Sequence, residues 1–488
     1  MQLGRSTEVS MLRILIEKEI RDLTGSAKFV IMFGVCALLI IATFYVGAVR
    51  HKLSLAQYDA SRTEQARALE GVTDWMDVND VRVFLPPEPL AALVSGVSND
   101  IERTAVISGR GDIPTEDSRF NEDPIYAIFR FIDLEFIFAV ILSLFAILLG
   151  YDAISGEKER GTLRLTFANA VPKRTYIMAK LLGSYLTLTT SIVIAILVGV
   201  LLFLILGMSL SAMEWLRLFL IVLAGLLFFG VFLSLSIFVS ALTHRSSSSF
   251  LILLVIWVMF VHIVPRASVL LAARSVDVPS VDEIAYQKSS LAIQLGEEFR
   301  ESMRNIEIPA TSNPNEDPMM KFNEYMDSLT NIRESKLNAL SSRLREERNN
   351  LQRVQESLAF TLARLSPVTL FSFATSYLAG TSIYLKDKFD DEALAYQAEY
   401  GRFIKEKTGL NPGGMLKIRA SKSCSGGGGE EDEQPKQIDA TELPAFTFSN
   451  DDFKSSFESA VVDLGLLGIL NLFLFAGSFL AFVRYDVR

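Results

Sequence analysis

Histidine and cysteine are nearly absent from this chain of 488 residues, which has three of the first (His51, His244, His262) and two of the second (Cys36, Cys424). No metal-ligand spacing links the histidines, so no zinc-type site is written into the sequence. Cys36 sits inside an apolar run and Cys424 in a polar, glycine-rich stretch, placements that argue against one bridge and against a disulfide framework. No G-x-x-x-x-G-K-[ST] string occurs, so the four glycines of the acidic stretch 423–437 are not a phosphate loop, and that stretch reads as a flexible linker. Neither a G-x-S-x-G elbow nor an H-E-x-x-H helix is present, which leaves no specific catalytic constellation. Charge is scarce too, at 21% of residues, and 47 Lys and Arg against 56 Asp and Glu give a net charge of −9. With no basic stripe, that balance argues against a nucleic-acid partner.

What the chain has in quantity is apolar surface. Half of its residues are hydrophobic and its mean hydropathy is +0.32, the composition of an integral membrane protein. Crossing a bilayer core of roughly 30 Å takes about 20 apolar helical residues, because lipid leaves no backbone polar group a partner outside the helix. Six runs meet or approach this length, at 29–49, 131–150, 181–206, 216–242, 250–264 and 461–483. The fifth is short, and the serines at 246–249 can lengthen it by bonding back to helix carbonyls. The expectation is an all-α polytopic membrane protein with six transmembrane helices and a mostly helical extracytoplasmic domain between spans five and six.

Orientation follows from Lys and Arg near the spans, since positive loops stay cytoplasmic. With both termini inside, the cytoplasmic pieces sum to +6 and the opposite side to −13, and the short segment 151–180, at +3, carries most of the argument. The expected division is a cytoplasmic interfacial helix over 1–28, span 1 over 29–49, an extracytoplasmic segment over 50–130 and span 2 over 131–150. A cytoplasmic segment over 151–180, spans 3 to 5 over 181–264, an extracytoplasmic domain over 265–460, and span 6 with its tail over 461–488 complete it. The first apolar run is too long and too late for a cleavable signal, so it reads as an anchor. Before it, Leu12, Leu15, Ile16, Ile20 and Leu23 share one helical face, the pattern of a helix lying along the bilayer surface, with packing on another protein segment as the alternative.

In the larger outside segment Leu337, Leu344, Leu351 and Leu358 recur every seven residues, with Leu340 and Val354 at the companion position. This spacing predicts a long helix. An antiparallel hairpin with the helix around Leu291, Leu295 and Phe299 competes there with a dimeric coiled coil, and intramolecular packing is the reading favoured. The run VTLFSFATSYLAGTSIY near 367–384 is too polar for a seventh span and reads as an amphipathic or half-inserted helix, or equally as ectodomain core. Four charges fall inside the spans near their outer boundary, Asp133, Glu135, Arg217 and Asp463. An interfacial role is one reading, and an outer gate in which Arg217 pairs an acid is the other.

The segment 151–180 holds the most specific pattern. Gly156 and Gly161 bracket Glu157, Lys158, Glu159 and Arg160, then Leu163, Leu165 and Phe167 supply apolar contacts, and Pro172 with Lys173 and Arg174 begins the next helix. A short charged helix tethered to two spans can carry a push from a cytoplasmic partner into the bilayer. The string E-K-E-R-G-T-L followed by the Pro-Lys-Arg entry resembles the cytoplasmic signature of ABC type-2 exporter permeases, and the large outside insertion resembles their enlarged bacterial subgroup.

That resemblance implies a coupling helix that contacts a separate ATP-binding subunit, a role falling by position on Glu157, Lys158, Glu159, Arg160, Gly161 and Thr162. It also implies a permease that is not itself an enzyme and holds no cofactor, with ATP and Mg bound by the partner subunit. A dimer with a second copy or a homologous permease subunit, contact with membrane lipid, and a bacterial inner-membrane location follow from the same likeness. The function expected is ATP-driven export. Mechanotransmission to an extracytoplasmic protein by the outside helices is the first rival, and a hydrolase built from dispersed residues the second.

Overall fold

The first apolar run does not end where a bilayer would. In the computed structural model its helix, α2 (Ala27–Leu69), has 43 residues. That is about 65 Å at 1.5 Å per residue, twice the hydrocarbon thickness. Nothing in RHKLSLAQYDASRTEQARAL interrupts it, since the stretch holds no proline or glycine. The structure describes residues 2–73, 75, 78, 80–96, 98, 101, 103–108, 115–116, 133–169, 171–304, 318–408, 439, 442–448 and 453–485. The acidic stretch 423–437, Cys424 and the first two residues of the expected second span lie outside them.

Ahead of α2 runs α1 (Gln2–Thr24). Its face of Leu12, Leu15, Ile16, Ile20 and Leu23 is half-buried, and Glu19 on the same face is buried. It packs on the start of α6, where a Cβ added at Gly183 would stand 2.9 Å from the Glu19 Cβ. One face of α1 thus packs on a protein segment.

The next span, α3, begins at Leu134–Phe136 with Asp133 as its N-cap, passes through a π-helical turn (Ile137–Leu142) and ends as Ser143–Gly150. Two short helices follow, α4 (Ser155–Glu159) and α5 (Thr162–Ala168), then α6 (Lys173–Ile205) and α7 (Ala212–Leu242). Ser211 and Glu214 form a capping box at the start of α7, which is deeply buried in the bundle. α8 runs from Ser246–Val258 through a π-helical turn (Met259–Ile263) into Val264–Ser275. The fifth run is therefore part of a 30-residue helix rather than a short span.

Beyond it come α9 (Val281–Arg304), α10 (Pro318–Ala363), α11 (Pro367–Ala379), α12 (Tyr384–Thr408) and α13 (Phe453–Arg484). α9 and α10 form the antiparallel hairpin. Lys336 meets Glu298 at 3.4 Å and Arg333 lies over the Phe299 ring, so position rises on one helix as it falls on the other, and Gln355 reaches past the start of α9 to donate to the Val276 carbonyl at 3.1 Å.

Among the described residues seven helical stretches are long and apolar enough to cross a membrane by length and composition, not six. The addition is 367–408, with the lowest mean hydropathy of the seven, 1.2. Its chain breaks at Gly380, whose φ of 72° stops α11, and only α11 joins the core of the bundle, with Phe371 stacked on Phe228 at 4.7 Å.

The all-α expectation does not extend to the end of the bundle remote from Glu157. A three-stranded antiparallel sheet forms there from β1 (Asp80–Phe84), β2 (Thr104–Ser108) and β3 (Thr115–Glu116), in that order, with Val81 opposite Ile107 and Val83 opposite Ala105. Val81, Val83 and Leu85 turn inward at period two and meet the α12 stripe of Leu385, Phe389, Ala393, Tyr396, Tyr400 and Ile404. Tyr400 donates to the Val78 carbonyl at 2.5 Å and Gln397 to the Ser108 carbonyl at 3.0 Å. The segments 50–130 and 265–460, separate in sequence, thus contribute to one module.

Packing between the long helices is close. A Cβ at Gly199 of α6 would come within 2.4 Å of the Phe44 ring of α2, which is wholly buried. Gly199→Leu is expected to destabilise the bundle by about 1–3 kcal/mol through overpacking, read as a lower unfolding temperature in detergent.

Candidate functional site

The signature segment is stitched to the bundle by its backbone before its side chains matter. Gly150 approaches α7 so closely that a Cβ would stand 2.6 Å from the Ser236 Cβ. At the start of α4 the buried Ser240 hydroxyl oxygen accepts from the amides of Ile154 at 3.0 Å and Ser155 at 2.9 Å. A helix start leaves such donors without intrahelical partners. Ser240→Val is expected to strand both at a cost of about 1–3 kcal/mol each and to speed tryptic cleavage after Lys158 and Arg160.

α4 closes at Arg160, whose Nε donates to the Gly156 carbonyl at 3.1 Å, and Gly161, at φ 74°, takes the left-handed turn into α5. On α5, Leu163 is buried and Phe167 packs on Tyr176 and Phe482. Leu165, 68% exposed, faces out with Arg164.

Beneath this segment lies a buried cluster of charges. The Lys180 ammonium sits 3.0 Å from Glu157 and 2.9 Å from Glu19, and the Tyr176 hydroxyl donates to the second Glu157 oxygen at 2.5 Å. Ser184 donates to Glu19 at 3.4 Å. Glu157, Lys180 and Glu19 are each less than a tenth exposed. Buried charges persist only when paired and hydrogen-bonded, and here one ammonium serves two carboxylates, the three groups coming from three separate elements. α1, α4 and α6 are locked together as a result.

The six residues of the expected coupling role therefore divide. Glu157 points inward to that cluster. Lys158 also turns toward the bundle, donating to the carbonyls of Ala241 and of Thr243, the latter at 2.9 Å, with the Tyr485 ring 4.3 Å away. Glu159 accepts from the Ser246 amide at 3.1 Å and its hydroxyl at 2.9 Å, capping α8. Arg160, Gly161 and Thr162 are exposed, and with Arg164 and Leu165 they form the outer edge. Glu19, Tyr176, Lys180, Ser240 and Tyr485 were not marked by motif. Glu19 had one available signal, as a charge at i+3 from Ile16 within an apolar stripe.

The four charges at the other end take four different partners. Asp133 accepts from the amide and hydroxyl of Ser95, at 3.2 and 2.7 Å, besides capping α3. Glu135 accepts from the Ser372 hydroxyl. Asp463, fully buried, forms a fork with Arg364 at 2.7 and 3.3 Å. Arg217 lies over the Phe453 ring and makes no ion pair with the three acids among the described residues. The partner that sequence reasoning missed is Arg364, 99 positions from Asp463.

Seven long apolar helical stretches among the described residues, with a short helix pair clamped at one end, define a multi-pass helical membrane protein. Residues 13–486 match the family described as ABC-2 family transporter protein, and the chain belongs to that family as the membrane component of an ABC-2 type transporter. The match runs through the far-end hairpin as well as the bundle. Membrane subunits of this family are generally non-catalytic and act with ATP-binding subunits. A search of curated proteins finds no match.

Proposed function

We propose that this chain is the permease of an ATP-driven exporter and that its ATP-binding subunit docks on the outer edge formed by Arg160, Thr162, Arg164 and Leu165. The observation that supports this most strongly is the division of the signature segment into two faces. One face is anchored by Glu157 and Lys158, and the other presents an exposed leucine beside arginines, the chemistry of an anchor residue entering an acidic-rimmed groove. Movement of the docked subunit would shift α4 and α5 and, through the cluster at Lys180, the inner ends of α1 and α6. Work as a dimer, with a second copy or a related permease, completes the transport path.

In this reading both termini are cytoplasmic, six helices cross a bacterial inner membrane, and the sheet module and hairpin stand outside. α11 enters from outside without crossing, because its 13 residues span only about 20 Å, and the charged α12 cannot continue it through lipid. A photo-crosslinking amino acid at position 165, with position 213 at the other end of the bundle as control, tests the docking. Capture of a nucleotide-binding protein at 165 alone is the expected result, and its capture at 213 or at neither position would contradict it.

The second reading, force transmission to an extracytoplasmic partner, is favoured by the joint at which α10 meets the spans. The Arg364–Asp463 fork ties a 46-residue helix to a buried carboxylate inside the bundle.

A further inference from the structure

The last helix of the chain is gripped at both ends. At its C-terminal end Phe482 stacks on Tyr176 with ring centroids 5.0 Å apart, Lys173 donates to the Tyr485 carbonyl at 2.6 Å, and the Lys158 ammonium faces the Tyr485 ring. Tyr176 in turn holds Glu157. At the other end, roughly 28 Å away along the helix, Asp463 holds Arg364 in a two-bonded fork. Between these points α13 contains no proline and is tied to α7 through Asn471 and Ser478, which bond the Leu227 and Ser234 carbonyls at 3.2 and 3.1 Å. α13 runs as one uninterrupted helix even across its Gly477–Ser478 pair, where a helix kinks most readily, and the Ser478 bond to α7 braces that step, so a push at one end reaches the other.

The foot of α10 meets a second span by a different route. In the π-helical turn of α8 the Val264 amide bonds to the Met259 carbonyl, five residues back. The next carbonyl, that of Phe260, would take the amide of residue 265, but Pro265 has none. The Ser366 hydroxyl fills that vacancy with a 2.6 Å bond. Arg364 and Ser366 therefore fasten the base of a helix about 70 Å long to α13 on one side and α8 on the other. The other leg of the hairpin follows α8 directly, and Gln355 closes the angle between them by bonding the Val276 carbonyl. Any displacement between α13 and α8 at this level must reorient the hairpin.

We propose that α13 transmits the position of the 155–169 segment to the far-end hairpin, with the Arg364–Asp463 fork as the joint, so that the hairpin changes its angle to the bundle with the nucleotide state of the partner subunit. This rests on the docking of an ATP-binding subunit at the Arg160–Leu165 edge. The hairpin is then a driven lever rather than a passive ornament of the bundle.

The test uses the full complex purified with its ATP-binding subunit, with Cys36 and Cys424 replaced by serine and spin labels placed at Ser342→Cys on α10 and Met213→Cys at the start of α7. Mg-ATP with vanadate should shift the mean label distance by roughly 5 Å, the scale of a one-turn helix displacement. Arg364→Gln and the double variant Arg364→Gln with Asp463→Asn should retain the ATP-binding subunit and its hydrolysis yet lose at least half of that shift. Should Arg364→Gln fail to accumulate, Phe482→Leu cuts the same route at its other end and is read in the same way. An undiminished shift in these variants, or no shift in a hydrolysing wild-type complex, overturns the proposal while leaving the docking intact. If no ATP-binding subunit accompanies the wild-type chain, the docking itself falls and the proposal with it.

Discussion

Lys180→Met is expected to be the most damaging single substitution at the signature end of the protein. Methionine keeps most of the apolar stem but removes the ammonium, leaving the carboxylates of Glu19 and Glu157, each less than a tenth exposed, facing each other without a cation. Breaking a buried ion pair by removing one partner costs about 3–5 kcal/mol, and here both acids lose theirs. The unfolding temperature in detergent should fall, and α1 should become cleavable by protease because Glu19 is its deepest anchor on α6. Glu19→Gln and Glu157→Gln should each cost less, since Lys180 keeps one carboxylate and the amide can still accept a hydrogen bond. A Lys180→Met protein as stable as the wild type would show that the cluster does not hold the three elements together.

The second large effect is expected on the opposite face. Leu165→Asp adds an acid to an exposed position, so the fold should be unchanged and the unfolding temperature should stay within a degree or two of the wild type. Its effect should fall on the partner. Loss of a central apolar anchor from an interface costs 2 kcal/mol or more, which is roughly a 30-fold weaker complex. Pull-down of the ATP-binding subunit by the tagged permease should drop accordingly, and Arg160→Ala with Arg164→Ala should lower it further and reduce its salt dependence. Glu157→Gln gives the opposite profile, lower stability with the docking edge intact. The two faces can thus be separated by measuring stability and partner capture side by side, whereas a combined Glu157 and Arg160 variant would mix the two effects.

The parts of this architecture that depend on local pattern were legible in the sequence. Apolar length located the six runs, the leucine heptad gave α10, and intramolecular pairing with the Leu291–Leu295–Phe299 face is the arrangement seen. The break at Gly161 also follows from sequence, because glycine takes a left-handed turn without a Cβ clash. What was not legible depends on long-range contact. Glu157 reads as one more solvent-facing charge in E-K-E-R, and only Lys180 and Tyr176, 23 and 19 positions away, turn it inward. Asp463 reads as an isolated charge near a span end until Arg364 is brought beside it. The sheet module escaped for a related reason. Its strands are two to five residues long, and the α12 face that covers them lies nearly 300 positions further on. Helix α2 was underestimated because hydropathy marks where the bilayer ends and says nothing about where the helix does.

The central claim, that an ATP-binding subunit works this permease through the exposed edge of the 155–169 segment, is tested most directly by amide hydrogen exchange on the purified complex with and without that subunit. Peptides covering Thr162–Ala168 should become at least tenfold slower to exchange when it binds, with a smaller slowing at the start of α6 and none at the sheet module. Slowing confined to other cytoplasmic surfaces, with α5 unchanged, would contradict the account and move the docking site elsewhere.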